Sequence, residues 1–119
     1  NLVGWSQVKI NGKAGDKIII SHAEVLDKKG NFYTDNLRAA KAQNVFILKG
    51  SGEEFFEPHF TFQGFRYIKI EGYPGELKPE NFSAVSLYSD MEPTGTFECS
   101  NPLLNQLQHN IQWGNEVIF

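Results

Sequence analysis

The chain has 119 residues, 40% of them hydrophobic and 21% charged, the balance of one folded domain with a core of its own, not of a disordered segment. Eleven Lys and Arg against 14 Asp and Glu leave a formal charge of -3, which argues against the basic stripe a nucleic-acid partner requires. Ile18-Ile19-Ile20 is the longest apolar candidate, far below the roughly 18 residues of a membrane-spanning helix, and the single Cys99 excludes a disulfide framework and a four-cysteine zinc site.

Alternation and turn chemistry predict about eight short strands. Val3 to Ile10 is the first, ended by Asn11-Gly12 and Ala14-Gly15-Asp16. Lys17 to Leu26 is the strongest, with Ile18, Ile20, His22, Glu24 and Leu26 on one face. Asp27-Lys28-Lys29-Gly30 reads as a type I turn. Asn31 to Ala42 is a long connection with a short strand at Phe32-Tyr33-Thr34. Strands follow at 43–49, 55–62 and 65–71, with Gln63-Gly64 as either a hairpin or a bulge between the last two. Gly72-Tyr73-Pro74-Gly75 is a turn, Phe82 to Ser89 a strand, and Thr96-Phe97-Glu98 a short edge strand.

The period then changes. Leu103, Leu104, Leu107 and Ile111 form a helical stripe, with Asn101 as N-cap, Pro102 at the first helical position and Gly114 as C-cap. Short strands without intervening helices predict an all-β fold, an antiparallel β-sandwich of jelly-roll type over residues 1–98. Residues 99–119 form a C-terminal α-helix and a truncated linker, and the apolar stripe, with little sheet left to cover, is expected to pack on a following domain. The chain opens on Asn1 without Met and stops on Val117-Ile118-Phe119, so both ends are expected to be cut.

Catalytic chemistry finds little support. There is no G-x-S-x-G elbow or phosphate loop, and Cys99 reads as a small buried residue. Glu53, Glu54 and Glu57 show no spacing that favours a glycosidase acid–base pair over solvated surface. His22 and Glu24 share a strand face about 7 Å apart. With Asn36 and Arg38 they make either a polar or metal site or, preferably, a structural cluster in which Arg38 pairs with Glu24 to pin the long loop. A metal is the weaker alternative, because two ligands lack a third at defined spacing. Trp5, Tyr33, Tyr67, Tyr73, Tyr88 and Trp113 are candidates for stacking on sugar rings, whereas Phe46, Phe56, Phe60, Phe62, Phe65 and Phe97 are expected in the core.

Several stretches match one family in order. Gly4-Trp5, Asn11-Gly-Lys-Ala-Gly-Asp16, Ser21-His-Ala-Glu-Val-Leu-Asp27, Tyr33-Thr-Asp-Asn-Leu-Arg38, Phe60-Thr-Phe-Gln-Gly-Phe-Arg-Tyr67, Glu71-Gly-Tyr-Pro-Gly75 and the run from Ser89 to Leu107 resemble the concanavalin-like β-sandwich domain of bacterial α-L-rhamnosidases. The resemblance covers nearly the whole chain. It implies a sandwich that precedes a catalytic (α/α)6 barrel, where acidic residues hydrolyse terminal α-L-rhamnose with inversion. The sequence departs from the family after Gly114, before any acidic barrel segment, so no catalytic residue is carried over and no metal or cofactor is expected. The implied partner is the barrel of the same parent chain, with rhamnose-containing glycans as a further candidate. Interface or carbohydrate candidates are Trp5, His22, Glu24, Tyr33, Asn36, Arg38, Tyr73 and Trp113. The competing reading is an independent carbohydrate-binding module, marked by an exposed row of Trp and Tyr. A plain structural domain would instead bury every aromatic.

Overall fold

A computed structural model describes residues 1–117; Ile118 and Phe119 of the terminal apolar run lie outside the described residues. The strands are β1 (Leu2–Asn11), β2 (Lys17–Ala23), β3 (Val25–Leu26), β4 (Phe32–Tyr33), β5 (Gln43–Ile47), β6 (Glu53–Phe56), β7 (Gln63–Phe65), β8 (Tyr67–Glu71) and β9 (Phe82–Ser86). Short 3-10 turns lie at Asp35–Leu37 and Pro79–Asn81, and the α-helix among the described residues, α1 (Pro102–Val117), follows the strands. The fold is the antiparallel β-sandwich with a C-terminal helix that the sequence predicts.

β1 organises the first layer. Val8 pairs with both Phe56 of β6 and Phe82 of β9, and Gly4 with both Gln63 of β7 and Ser86 of β9. Thus β9 runs along one edge of β1, while β6 and β7 share the other edge end to end. The second layer is β5-β2-β8, and β3 with β4 makes a separate hairpin. Alternation puts Val8 and Ile10 of β1 against Ile18 and Ile20 of β2, with Leu48 completing the buried cluster. Phe46 of β5 stacks on Phe56 of β6 across the layers, ring centroids 4.1 Å apart. The β3–β4 turn forms as expected: the Asp27 carboxylate accepts from the backbone N–H groups of Lys29 and Asn31, and Gly30 takes the left-handed conformation at φ 83°.

Six expectations need correction. The long second strand breaks after Ala23, because its partner β8 ends opposite that residue, and the chain turns off into the hairpin. Gln63-Gly64 is neither hairpin nor bulge but part of β7, and the break falls at Arg66, where the chain leaves the first layer for the second. Residues 57–62 are a loop rather than strand; Pro58 has no N–H for a ladder, and Phe60 is left-handed at φ 61° and fully exposed. Phe62 and Phe97 are also half exposed, so of the six expected core Phe only Phe65 is fully buried, with Phe46 and Phe56 half-buried. No strand forms at Thr96–Glu98, where no neighbouring backbone pairs with the chain. Gly114 does not end α1, which continues to Val117.

The molecule is elongated. Its radius of gyration, 18.0 Å, exceeds the roughly 13.5 Å of a compact chain of this length, and its longest dimension is 59 Å.

Two glycines should respond oppositely to a methyl group. A Cβ on Gly4 would collide with the Val85 carbonyl of β9, whereas one on Gly114 would meet nothing. Urea melts of the chain should show Gly4→Ala losing about 2 kcal/mol or more and Gly114→Ala gaining about 0.5–1 kcal/mol.

Candidate functional site

His22 lies at the centre of the polar cluster and is fully buried. Its Nδ1 donates to the Ala42 carbonyl at 3.0 Å, which leaves Nε2 to accept from the Ser6 hydroxyl at 3.4 Å. The His22 backbone N–H donates to the same Ala42 carbonyl at 3.0 Å. Phe65 meets the imidazole edge-on, centroids 4.9 Å apart. Both ring nitrogens are satisfied by neutral groups, so the site holds a neutral imidazole. Burial pushes the His22 pKa below 6.5, outweighing the opposite effect of the Ala42 bond.

The expected Arg38–Glu24 tether does not form. Among the described residues the ion pairs are His59–Glu57 and Lys69–Glu71. Instead Asn36 Nδ2 donates to Glu24 Oε2 at 3.4 Å, and the loop end is held at Ala42 by His22. The reason is topological. The break after Ala23 leaves the Glu24 carboxylate beside Gly64 of β7, in the first layer. Arg38 lies over the outer face of the second layer, lining a pocket with Ser21, Gln43 and Lys69. Among the described residues no three His, Cys, Asp or Glu side chains come together as metal ligands.

The aromatic candidates disperse. Trp5 is half-buried and its Nε1 donates to Glu57 Oε2 at 3.3 Å; Gln7 Nε2 donates to the same oxygen at 2.6 Å. Glu57 is therefore an anchor on the outer face of the first layer, not loose surface. Glu54, also expected on the surface, closes the turn before β6 by accepting from the Gly50 N–H at 2.8 Å. Tyr33 is half-buried in β4. Tyr73 packs on the core, its hydroxyl accepting from Asn81 Nδ2 at 3.0 Å and donating to the Lys9 carbonyl at 3.5 Å. Among the described Trp and Tyr residues only Tyr88 and Trp113 are exposed, which is not a row on one face.

The exposed apolar surface is elsewhere. Leu103, Leu104, Leu107 and Ile111 on α1 are 77%, 47%, 52% and 51% exposed. Asn101 caps this helix as expected, its Oδ1 accepting from the Leu103 N–H at 3.0 Å. A second clamp was not read from the sequence: Asn105 donates to the Cys99 carbonyl at 2.8 Å and accepts from its N–H at 2.9 Å. Cys99 is half-buried at this clamp, where it was expected in the core. An Asn two turns from its partner's carbonyl carries no periodic signal, so only the structure pairs them.

Comparison with known proteins gives a consistent result. The family described as the bacterial alpha-L-rhamnosidase concanavalin-like domain matches residues 1–88. An alpha-L-rhamnosidase of Streptomyces avermitilis is 42% identical over 119 residues, which are all of this chain and 12% of that protein. One from Formosa agariphila is 40% identical over 116 residues, 96% of this chain and 12% of the relative. The crystal structure of the Streptomyces avermitilis enzyme complexed with L-rhamnose superposes with a TM-score of 0.88 at 41% identity, covering 100% of this chain and 12% of that one. The chain thus spans about an eighth of the length of these relatives.

The buried imidazole makes stability depend on pH. The unfolded chain takes up a proton on this ring near pH 6.5, the folded chain only at lower pH. The contribution of a neutral His22 is therefore complete above about pH 6.5 and is lost as pH falls from there through the folded-state pKa. Urea midpoints should decline between about pH 7 and pH 5, and His22→Gln should be less stable at neutral pH with a flatter profile.

Proposed function

The chain belongs to the bacterial alpha-L-rhamnosidase concanavalin-like domain family, and we propose that it serves as a non-catalytic β-sandwich that scaffolds and orients the catalytic barrel of a parent rhamnosidase. The observation that carries this reading is the uncovered stripe of α1. Among the described residues sixteen large hydrophobic side chains are exposed, and eight of them, from Tyr88 to Trp113, lie at or beyond residue 88. The helix touches β1 and sets Trp113 beside Leu2 and Phe65, yet its apolar stripe stays exposed and needs an apolar partner, and relatives of which this chain makes up 12% supply the chain for one.

In this reading residues 1–98 form the sandwich, and residues 99–119 lead into the barrel and dock upon it. The parent hydrolyses terminal α-L-rhamnose with inversion, through acidic residues of the barrel. No residue of this chain has a catalytic role. Among the interface candidates, Trp113 is exposed and lies at the seam between the helix and the sandwich, beside Leu2 and Phe65. An independent carbohydrate-binding module of the stacking type is disfavoured by the half-buried Trp5, Tyr33 and Tyr73.

Placing two carboxylates on the stripe tests the assignment. Leu107→Asp with Ile111→Asp should leave the melting of the 119-residue chain within about 0.5 kcal/mol of the parent sequence, because both sites are exposed. The same pair in the full-length rhamnosidase should lower its melting temperature and its release of rhamnose from an aryl rhamnoside. An unaffected full-length enzyme would contradict the docking role, and rhamnose release by the 119-residue chain alone would contradict the non-catalytic one.

A further inference from the structure

One pocket is unrelated to the helix stripe. It has a volume of about 370 Å³ and opens on the outer face of the second layer, beneath the 34–42 loop. Its floor is Ser21 of β2 and Gln43 of β5, register partners whose side chains bond to each other, Gln43 Nε2 donating to Ser21 Oγ at 3.0 Å. Ser21 is 3% exposed, and its hydroxyl still has a proton to donate, as the Gln43 amide oxygen has lone pairs to accept.

The walls are charged in an unequal way. Arg38, Lys41 and Lys69 face one acid, Asp35, in a chain whose net charge is -3. Lys69 is already engaged, 3.1 Å from Glu71 and 5.8 Å over the Phe32 ring. Arg38 and Lys41 have no carboxylate within ion-pair distance among the described residues. The loop that carries them is also strained. Three non-glycine residues among those described have left-handed φ, and two of them, Arg38 at 55° and Ala42 at 45°, bracket this wall. Such conformations cost free energy and persist where surrounding contacts enforce them. The two bonds from His22 hold Ala42, and the Arg38 N–H donates to the Asp35 carbonyl at 3.2 Å.

We propose that this pocket binds a sugar acid. Its carboxylate would pair with Arg38 and Lys41, and its hydroxyls would donate to Asp35 and bond the Ser21–Gln43 floor. A neutral sugar would leave both cations unused, and a simple anion would gain nothing from Asp35 and be repelled by it. A ligand bearing a carboxylate and hydroxyls uses every polar wall. The volume lies at the lower end of small-molecule sites, about 300–1,000 Å³, which suits a single monosaccharide unit. The site is independent of the docking of α1, so its failure would leave the proposed scaffold role intact.

The test is an NMR titration of the ¹⁵N-labelled 119-residue chain with sodium glucuronate, with L-rhamnose and sodium acetate as separate arms at matched ionic strength. Glucuronate should give saturable shifts at Ser21, Gln43 and the Arg38 side chain with a Kd on the order of 1 mM. Rhamnose and acetate should bind more weakly by about tenfold or more. Arg38→Ala and Lys41→Ala, both exposed and with melting followed on the same samples, should each weaken glucuronate by about tenfold. The proposal is overturned if glucuronate leaves these signals unmoved, if rhamnose or acetate matches it, or if the folded variants bind it unchanged.

Discussion

The imidazole of His22 ties both layers of the sandwich and the long loop to one polar centre. It bonds Ser6 of the first layer, belongs to β2 of the second, packs on Phe65 of β7 and holds Ala42 at the end of the long loop. A buried polar group of this kind specifies one arrangement, because any alternative leaves its nitrogens without partners. The neighbouring apolar cluster of Val8, Ile10, Ile18, Ile20 and Leu48 supplies burial without direction. Strand alternation then has a consequence on the other side of β2. With His22 turned inward, Ser21 must turn outward, where it meets Gln43 and Lys69 in register. The core contact and the floor of the charged pocket are thus one constraint seen from two faces.

The sandwich is thinly cored for its length. Among the described residues seven hydrophobic ones are buried, against sixteen large ones exposed. A self-sufficient domain of this size seldom leaves so much apolar surface in contact with water. The excess is greatest from residue 88 onward, on an extended segment and a helix whose start is held by a cap and a clamp. That division separates a sheet module stabilised by its own layers from a helix whose apolar stripe stays exposed.

Much of this organisation was legible in the residues. Alternation located β1, β2, β5 and β9 because each has one face on the core. Asp27 and Asn101 announced their turn and cap because their side chains bond backbone groups a few residues away. Family resemblance then identified the sandwich. What the residues concealed were contacts set by three-dimensional path. Glu24 and Arg38 read as a pair until the break after Ala23 sent them to different layers. Phe60 and Phe97 read as core because aromatic character says nothing about whether a layer covers them. Gly114 read as a stop signal, yet a glycine with free space around it can also be carried inside a helix at a cost of about 1 kcal/mol. The pocket was hidden for the same reason: Lys41 and Lys69 are far apart in sequence and meet only through strand register.

Docking of α1 on the rest of a parent rhamnosidase can be read by hydrogen–deuterium exchange on the 119-residue chain and on the full-length protein that contains it. Amides of residues 102–117 should exchange fast in the short chain and be strongly protected in the full-length protein, while those of β1 and β2 are protected equally in both. Equal and fast exchange of the helix in both proteins would mean that nothing docks on it.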